Sequence, residues 1–293
     1  MATDQKLSFF SEDELEYDSE WFGSGCRCPD AYLEQFKNMD TRLLQQPYYR
    51  NEDTDFVKWA VTYMTPQYTI GWFKHEIMWN QTRGMVAYFK NNEQATYLQM
   101  RCLHDGYDYC SGILDVEGIR DHLLLGVQFL TNGGDTHPSL DRIQGRIEAS
   151  DFRLRMEFGG VLEDVSIVAK GRTAQVIING LPLRFECLYA AFEEAPVVGS
   201  KEQRHWSWEV TNQGESIGLD MVIYAGQRKT IDFLALNKAA FLFSLACGQL
   251  VEEMPQIKIV EEVAYVRAQA TTHTDANSHE LTIPLQPHSR HPI

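Results

Sequence analysis

From Thr65 onward apolar and polar residues alternate with a period of two, the signature of half-buried strands. The densest stretch runs from Gly71 to Cys110 and predicts strands at about 68–79, 84–90 and 95–104. Successive side chains in a strand point to opposite faces, so parity decides which residues are neighbours. Phe73, His75, Ile77 and Trp79 share one parity, opposite Lys74 and Glu76. Leu98, Met100, Cys102 and His104 share another, opposite Tyr97, Gln99 and Arg101. Both histidines therefore fall on faces expected to be buried, and a carboxylate follows each: Glu76 and Asp105.

The pattern continues through 109–116, 121–131, 142–149 and 152–158. In the last of these, Phe152, Leu154, Met156 and Phe158 oppose Asp151, Arg153, Arg155 and Glu157. Asn179-Gly180 joins Ala174–Ile178 to Leu183–Tyr189 as a tight hairpin, because both turn positions require positive φ. Strands at 205–210, 218–224, 230–234 and 256–268 complete the series. Helical spacing is found in three places. Pro29 to Gln46 sets Tyr32, Leu33, Phe36, Met39 and Leu43 on one side. Thr54 to Met64 does the same with Phe56, Val57, Ala60 and Tyr63, and KAAFLFSLACGQLVEE follows a capping Asn237.

These elements predict an all-β chain, an antiparallel barrel or two barrel-like halves, with a two-sheet sandwich as the alternative. The organisation expected is a short helical or irregular amino-terminal segment over 1–66 and a β domain over 67–270. Its halves would divide near 150, and a polar tail would fill 271–293.

Composition narrows the function. The 293 residues are 44% hydrophobic, enough for a large core, and the formal net charge of −15 opposes binding to nucleic acid or anionic membrane. No apolar run reaches the roughly 18–20 residues of a membrane helix. The acidic amino terminus has no export pattern, so a cytoplasmic protein is expected, with its six cysteines reduced. Walker A, G-x-G-x-x-G, G-x-S-x-G and H-E-x-x-H patterns are absent, and Cys26-Arg27-Cys28 alone is a weak zinc signal. No metal or cofactor is expected.

What remains is acid–base chemistry in a cavity. Imidazole titrates near neutral pH, and a carboxylate beside it can orient it or share its proton. His75, Glu76, His104 and Asp105 are the candidate catalytic residues. Trp79 and Tyr107 are candidate substrate contacts, as are residues of His205-Trp206-Ser207-Trp208-Glu209. There His205, Ser207 and Glu209 oppose Trp206 and Trp208. The function expected is a cofactor-independent enzyme that binds an apolar or aromatic small molecule and catalyses a cyclisation, isomerisation, hydration or elimination. The alternatives are a non-catalytic carrier of a hydrophobic ligand and a carbohydrate-binding or carbohydrate-cleaving sandwich. Oligomeric state stays open, homo-oligomers included.

Overall fold

The structure is a computed structural model and describes residues 40–50, 57–78, 83–91, 94–132, 145–194, 204–248, 255–271 and 276–289. Among them the chain forms strands and no helix. In order these are β1 (Arg42–Arg50), β2 (Val57–Met64), β3 (Tyr68–Phe73), β4 (His75–Ile77), β5 (Met85–Asn91), β6 (Gln94–His104), β7 (Tyr107–Asp108), β8 (Gly112–Ile119), β9 (His122–Phe129) and β10 (Arg146–Gly160). There follow β11 (Val165–Lys170), β12 (Thr173–Ile178), β13 (Leu181–Glu194), β14 (Glu209–Asn212), β15 (Ser216–Asp232), β16 (Leu236–Cys247), β17 (Gln256–Val260), β18 (Val263–Thr271) and β19 (Ala276–Pro284).

They build three antiparallel sheets. A nine-stranded sheet runs β1-β2-β3-β5-β6-β10-β15-β14, with β7 paired to β6. A seven-stranded sheet runs β11-β12-β13-β16-β9-β8-β4, and a three-stranded sheet runs β17-β18-β19. The two large sheets keep free edges at β1 and β14 and at β11 and β4, so no barrel closes. The architecture is the sandwich, the second of the two expected. Nor does the chain divide into halves. β6 pairs with β10, and β9 with β16, so each large sheet mixes strands from before and after residue 150.

Alternation explains the core. On β10, Phe152, Leu154, Met156 and Phe158 point inward and are fully buried, as their parity predicts. Facing them from the seven-stranded sheet are Phe129, Phe185, Phe241 and Phe243. Tyr109, Phe129, Phe152 and Phe233 form a ring cluster, with Tyr109 and Phe233 stacked at 5.7 Å and Phe129 and Phe233 at 5.5 Å. Each fully buried ring contributes about 1.5–3 kcal/mol of transfer free energy. The space between the sheets is filled by such side chains.

The three-stranded sheet lies on the outer face of the seven-stranded one. Leu124, Ala240 and Leu242 pack there against Ala264, Val266, Leu281 and Ile283. β9 and most of β16 are consequently buried on both faces. That overturns the helix expected over KAAFLFSLACGQLVEE as far as Gly248, the residues after it lying outside the described ones: a doubly covered strand has no polar side, so its sequence loses the alternation that marks strands.

The amino-terminal expectation is corrected as well. The described part of Thr54 to Met64 is strand β2, where aromatic and β-branched residues place Val61 and Tyr63 in the core. Residues 42–46, expected in a helix, belong to edge strand β1, whose Pro47 sits at a register shift, as edge prolines do. The β2–β3 hairpin spans the boundary placed at residue 66, and part of the expected tail is β19. The rest of the first expected helix, Pro29 to Met39, lies outside the described residues. No helix among the described residues is long and apolar enough to cross a membrane.

The Asn179-Gly180 hairpin is as expected, with φ of 46° and 77° and Ile178 paired to Leu181.

Candidate functional site

After Phe73 the chain leaves the nine-stranded sheet and enters the seven-stranded one at His75. Lys74 makes the crossing: its N–H donates to Trp59 O at 3.2 Å in one sheet, and its carbonyl accepts from Val116 N at 3.2 Å in the other. Trp72, Glu76 and Met78 point into the interior, and His75 points out. The buried-face expectation for His75 is thus reversed, because the larger inward anchors sit at even positions. Glu76 does not partner His75. It is buried and ion-paired with Lys58 Nζ at 2.8 Å.

The partner of His75 is Asp115, directly opposite on β8. His75 Nδ1 is hydrogen-bonded to Asp115 Oδ1, and Gln128 Nε2, from β9, donates to Asp115 Oδ2. Asp115 is nearly enclosed, whereas the His75 side chain is 36% exposed. With Nδ1–H directed at a carboxylate, the neutral ring carries its lone pair on Nε2. That nitrogen has no hydrogen-bond partner among the described residues.

The pair lies in an open groove of about 470 Å3, bounded on one side by β4, β8 and β9 and on the other by β19 and the segment after it. Lys74 and Glu117, joined at 3.1 Å, flank the pair, and Glu280 and Thr282 face it from β19. His288 also lines the groove. It is held there by a parallel bridge to Leu130, with Thr131 N donating to His288 O at 3.0 Å. Burial lowers the His288 pKa. The nearby His75 acts in the same direction, while a Gln286 backbone bond and Asp115 act in the opposite one. The lining contains no serine or cysteine, and Thr282 is its one hydroxyl side chain; a histidine hydrogen-bonded to a carboxylate is an arrangement that can move a proton. Among the described residues, no three His, Cys, Asp or Glu side chains are grouped to hold a metal ion.

The other candidates are dispersed. His104 lies on the nine-stranded sheet and bonds Glu148 O at 2.9 Å, so the two histidines do not share a site. Asp105 lies at a hairpin tip with φ of 48° and accepts from Ser150 N and Asp151 N, both at 2.8 Å. Burial raises its pKa, but those backbone bonds, His104 and Arg228 outweigh it, and the net shift is downward. Its role is to anchor a turn. Tyr107 beside it is 80% exposed. Trp206 and Trp208 are core residues packed on Phe241 and Phe243, each at 5.1 Å, and His205 and Glu209 face solvent. Trp79 lies outside the described residues, as do Cys26 and Cys28.

Sequence reasoning missed Asp115, Gln128 and His288. Asp115 carried a signal: it is the one carboxylate inside the apolar run GILDV. His288 carried none, since its position depends on the path of the last residues.

Comparison with protein-family models, with curated proteins and with solved structures finds no match for this chain.

Proposed function

We propose that the protein is an enzyme that moves a proton on a polar small molecule bound in the His75 groove. His75 Nε2 acts as the base, and then as the acid that returns the proton. Asp115 fixes the ring and stabilises the imidazolium that forms. The observation that carries this reading is the Gln128–Asp115–His75 chain, which orients a histidine toward an open groove. Isomerisation, hydration and elimination all fit such a base without a resident cofactor. The polar lining favours a hydroxylated or charged substrate over the apolar one expected from composition. A hydrophobic carrier is supported less well, because rings fill the space between the sheets.

The test is incubation of the protein with a pooled set of hydroxy acids, sugars and sugar acids in D2O, read by mass spectrometry. The expected result is a product, or a deuterated substrate, formed by the wild type and lost in His75→Gln and Asp115→Asn. Turnover that survives in His75→Gln removes this residue from the mechanism.

A further inference from the structure

The outer face of the nine-stranded sheet carries a second polar surface, separate from the His75 groove. Register aligns its residues in rows across the strands. One row is Gly71, Val86, Gln99, Glu157, Gly218 and Thr211. The next contains Tyr88, Tyr97, Gly159 and Ser216. On the other side Arg101, Arg155 and Asp220 follow one another.

The two tyrosines are cross-strand neighbours on this face. Tyr97 leans across its neighbouring strand: a Cβ at Gly159 would lie 2.3 Å from its Cζ and Oη. Glycine at 159 therefore lets the ring lie down along the sheet instead of standing off it. Tyr88, directly opposite Tyr97, is 54% exposed.

Beside the rings, the charges cancel locally. Arg101 binds Asp108 at 2.9 Å and Glu157 at 2.7 Å, and Arg83 binds Asp108 at 3.2 Å. Arg155 binds Asp220 at 2.7 Å, while Arg153 joins Asp220 at 2.8 Å and also Asp151. Four guanidinium groups thus face four carboxylates, and with Arg155, Glu157 and Asp220 buried among them these charges are spent on one another and not offered to an ion. Hydrogen-bonding capacity remains. Gln99 donates to Glu157 at 2.6 Å, and Gln213 accepts from Arg155 at 2.8 Å. Gln99 Oε1 and the Gln213 amide NH2 have no partner among the described residues.

We infer that this face binds a neutral oligosaccharide, laid across the strands with a sugar ring on Tyr88 and Tyr97. Flat aromatic rings take the apolar faces of pyranoses, and the open amide groups of Gln99 and Gln213 take their hydroxyl groups. Neighbouring strands are about 4.8 Å apart, close to the rise of one hexose in an extended chain. The rows thus repeat at a step that a sugar polymer can follow.

The experiment is calorimetric titration of the full chain with cello-, xylo-, manno- and maltohexaose, and with an oligogalacturonate of equal length. Binding of at least one neutral hexaose is expected, weakened about tenfold in Tyr88→Ala and in Tyr97→Ala. His75→Gln should leave it unchanged, which separates this face from the groove. Tyr88 is exposed, so its variant serves even where the Tyr97 change disturbs the fold. Thermal unfolding is compared in all variants. No binding of any neutral hexaose, equal binding by the tyrosine variants, or tighter binding of the galacturonate each overturns the assignment.

Discussion

Two histidine pairs occupy the outer face of the seven-stranded sheet, and they differ in what covers them. His75 meets Asp115 at the open groove. His122, at the start of β9, meets His279 of β19 beneath the three-stranded sheet. There His122 Nδ1 lies 3.1 Å from His279 Nε2, and His122 Nε2 lies 3.3 Å from Ser244 Oγ. A hydrogen bond between two imidazoles needs a donor on one and a lone pair on the other, so the pair holds while both rings are neutral. Burial pushes both pKa values down to about 4, and for His122 the neighbouring His279 adds to the effect. The same residue type thus serves two purposes on one face. Beside a carboxylate and solvent it presents an open ring nitrogen to a groove; beneath a covering sheet it is a neutral clamp.

The largest test of the contrast is removal of His75, the proton carrier of the proposed reaction. General acid–base groups contribute about 10²–10⁴-fold, so His75→Gln should lower kcat by that factor. The chain should unfold at nearly the same temperature, because the ring is partly exposed. His122→Gln should do the reverse, costing stability and leaving kcat little changed. If both variants lost activity and kept their stability, the division between the two pairs would be wrong.

Acid exposes the buried pair next. Folded pKa values near 4 lie below the ordinary histidine value of 6.5, so below pH 6.5 the unfolded chain binds more protons than the folded one. Stability from these rings is full above pH 6.5 and is lost as the pH falls toward 4, at most about 3 kcal/mol per ring. Hydrogen exchange in β18 and β19 should quicken over that window before the rest of the sandwich opens. Exchange that stayed flat between pH 6.5 and 4 would show that the clamp carries no proton-linked stability.

The contrast also explains which features were legible in the sequence. Clean alternation at 152–158 and the Asn179-Gly180 turn placed β10 and the β12–β13 hairpin, because each has one face in the core and one outside. The run that forms β16 reads as a helix because the covering sheet erases its polar face. His75 was found as a residue type in a pattern, but its partner lies forty positions away on β8 and Glu76 turns inward. Local sequence gives parity. It cannot tell which of two parities is inward when the strand sits at the rim and passes between sheets.

A smaller effect should come from the floor on which β19 rests. Gly126 separates the two histidine pairs along β9, and a Cβ there would fall 2.7 Å from Ile283 Cγ2 and 3.1 Å from Leu281 Cδ2. Gly126→Ala overpacks this contact and should cost about 1–3 kcal/mol, read as faster exchange in β18 and β19. The effect should appear at neutral pH and add to the acid effect, since it acts through packing. A variant as protected as the wild type would mean that the covering sheet is not seated on Gly126.

The finest distinction concerns Gln128, which holds Asp115 from behind the open pair and also borders the groove. Its Nε2 donates to Asp115 Oδ2, and its side chain is buried. Gln128→Leu keeps the bulk and removes the donor, leaving a nearly enclosed carboxylate oxygen unpaired. Asp115 then has freedom to rotate, and His75 loses the fixed direction of Nε2. The loss expected is about tenfold in kcat, equivalent to about 1.4 kcal/mol, with KM changed less than kcat because the Gln128 side chain is buried and its bond goes to Asp115. Gln128→Glu separates orientation from charge. A second carboxylate beside Asp115 should raise the pKa of the imidazole and shift the rising limb of the kcat profile to higher pH. Loss of kcat in the leucine variant without that shift in the glutamate variant would show Gln128 acting through packing alone. Both effects together would place it in the chain that aims the histidine.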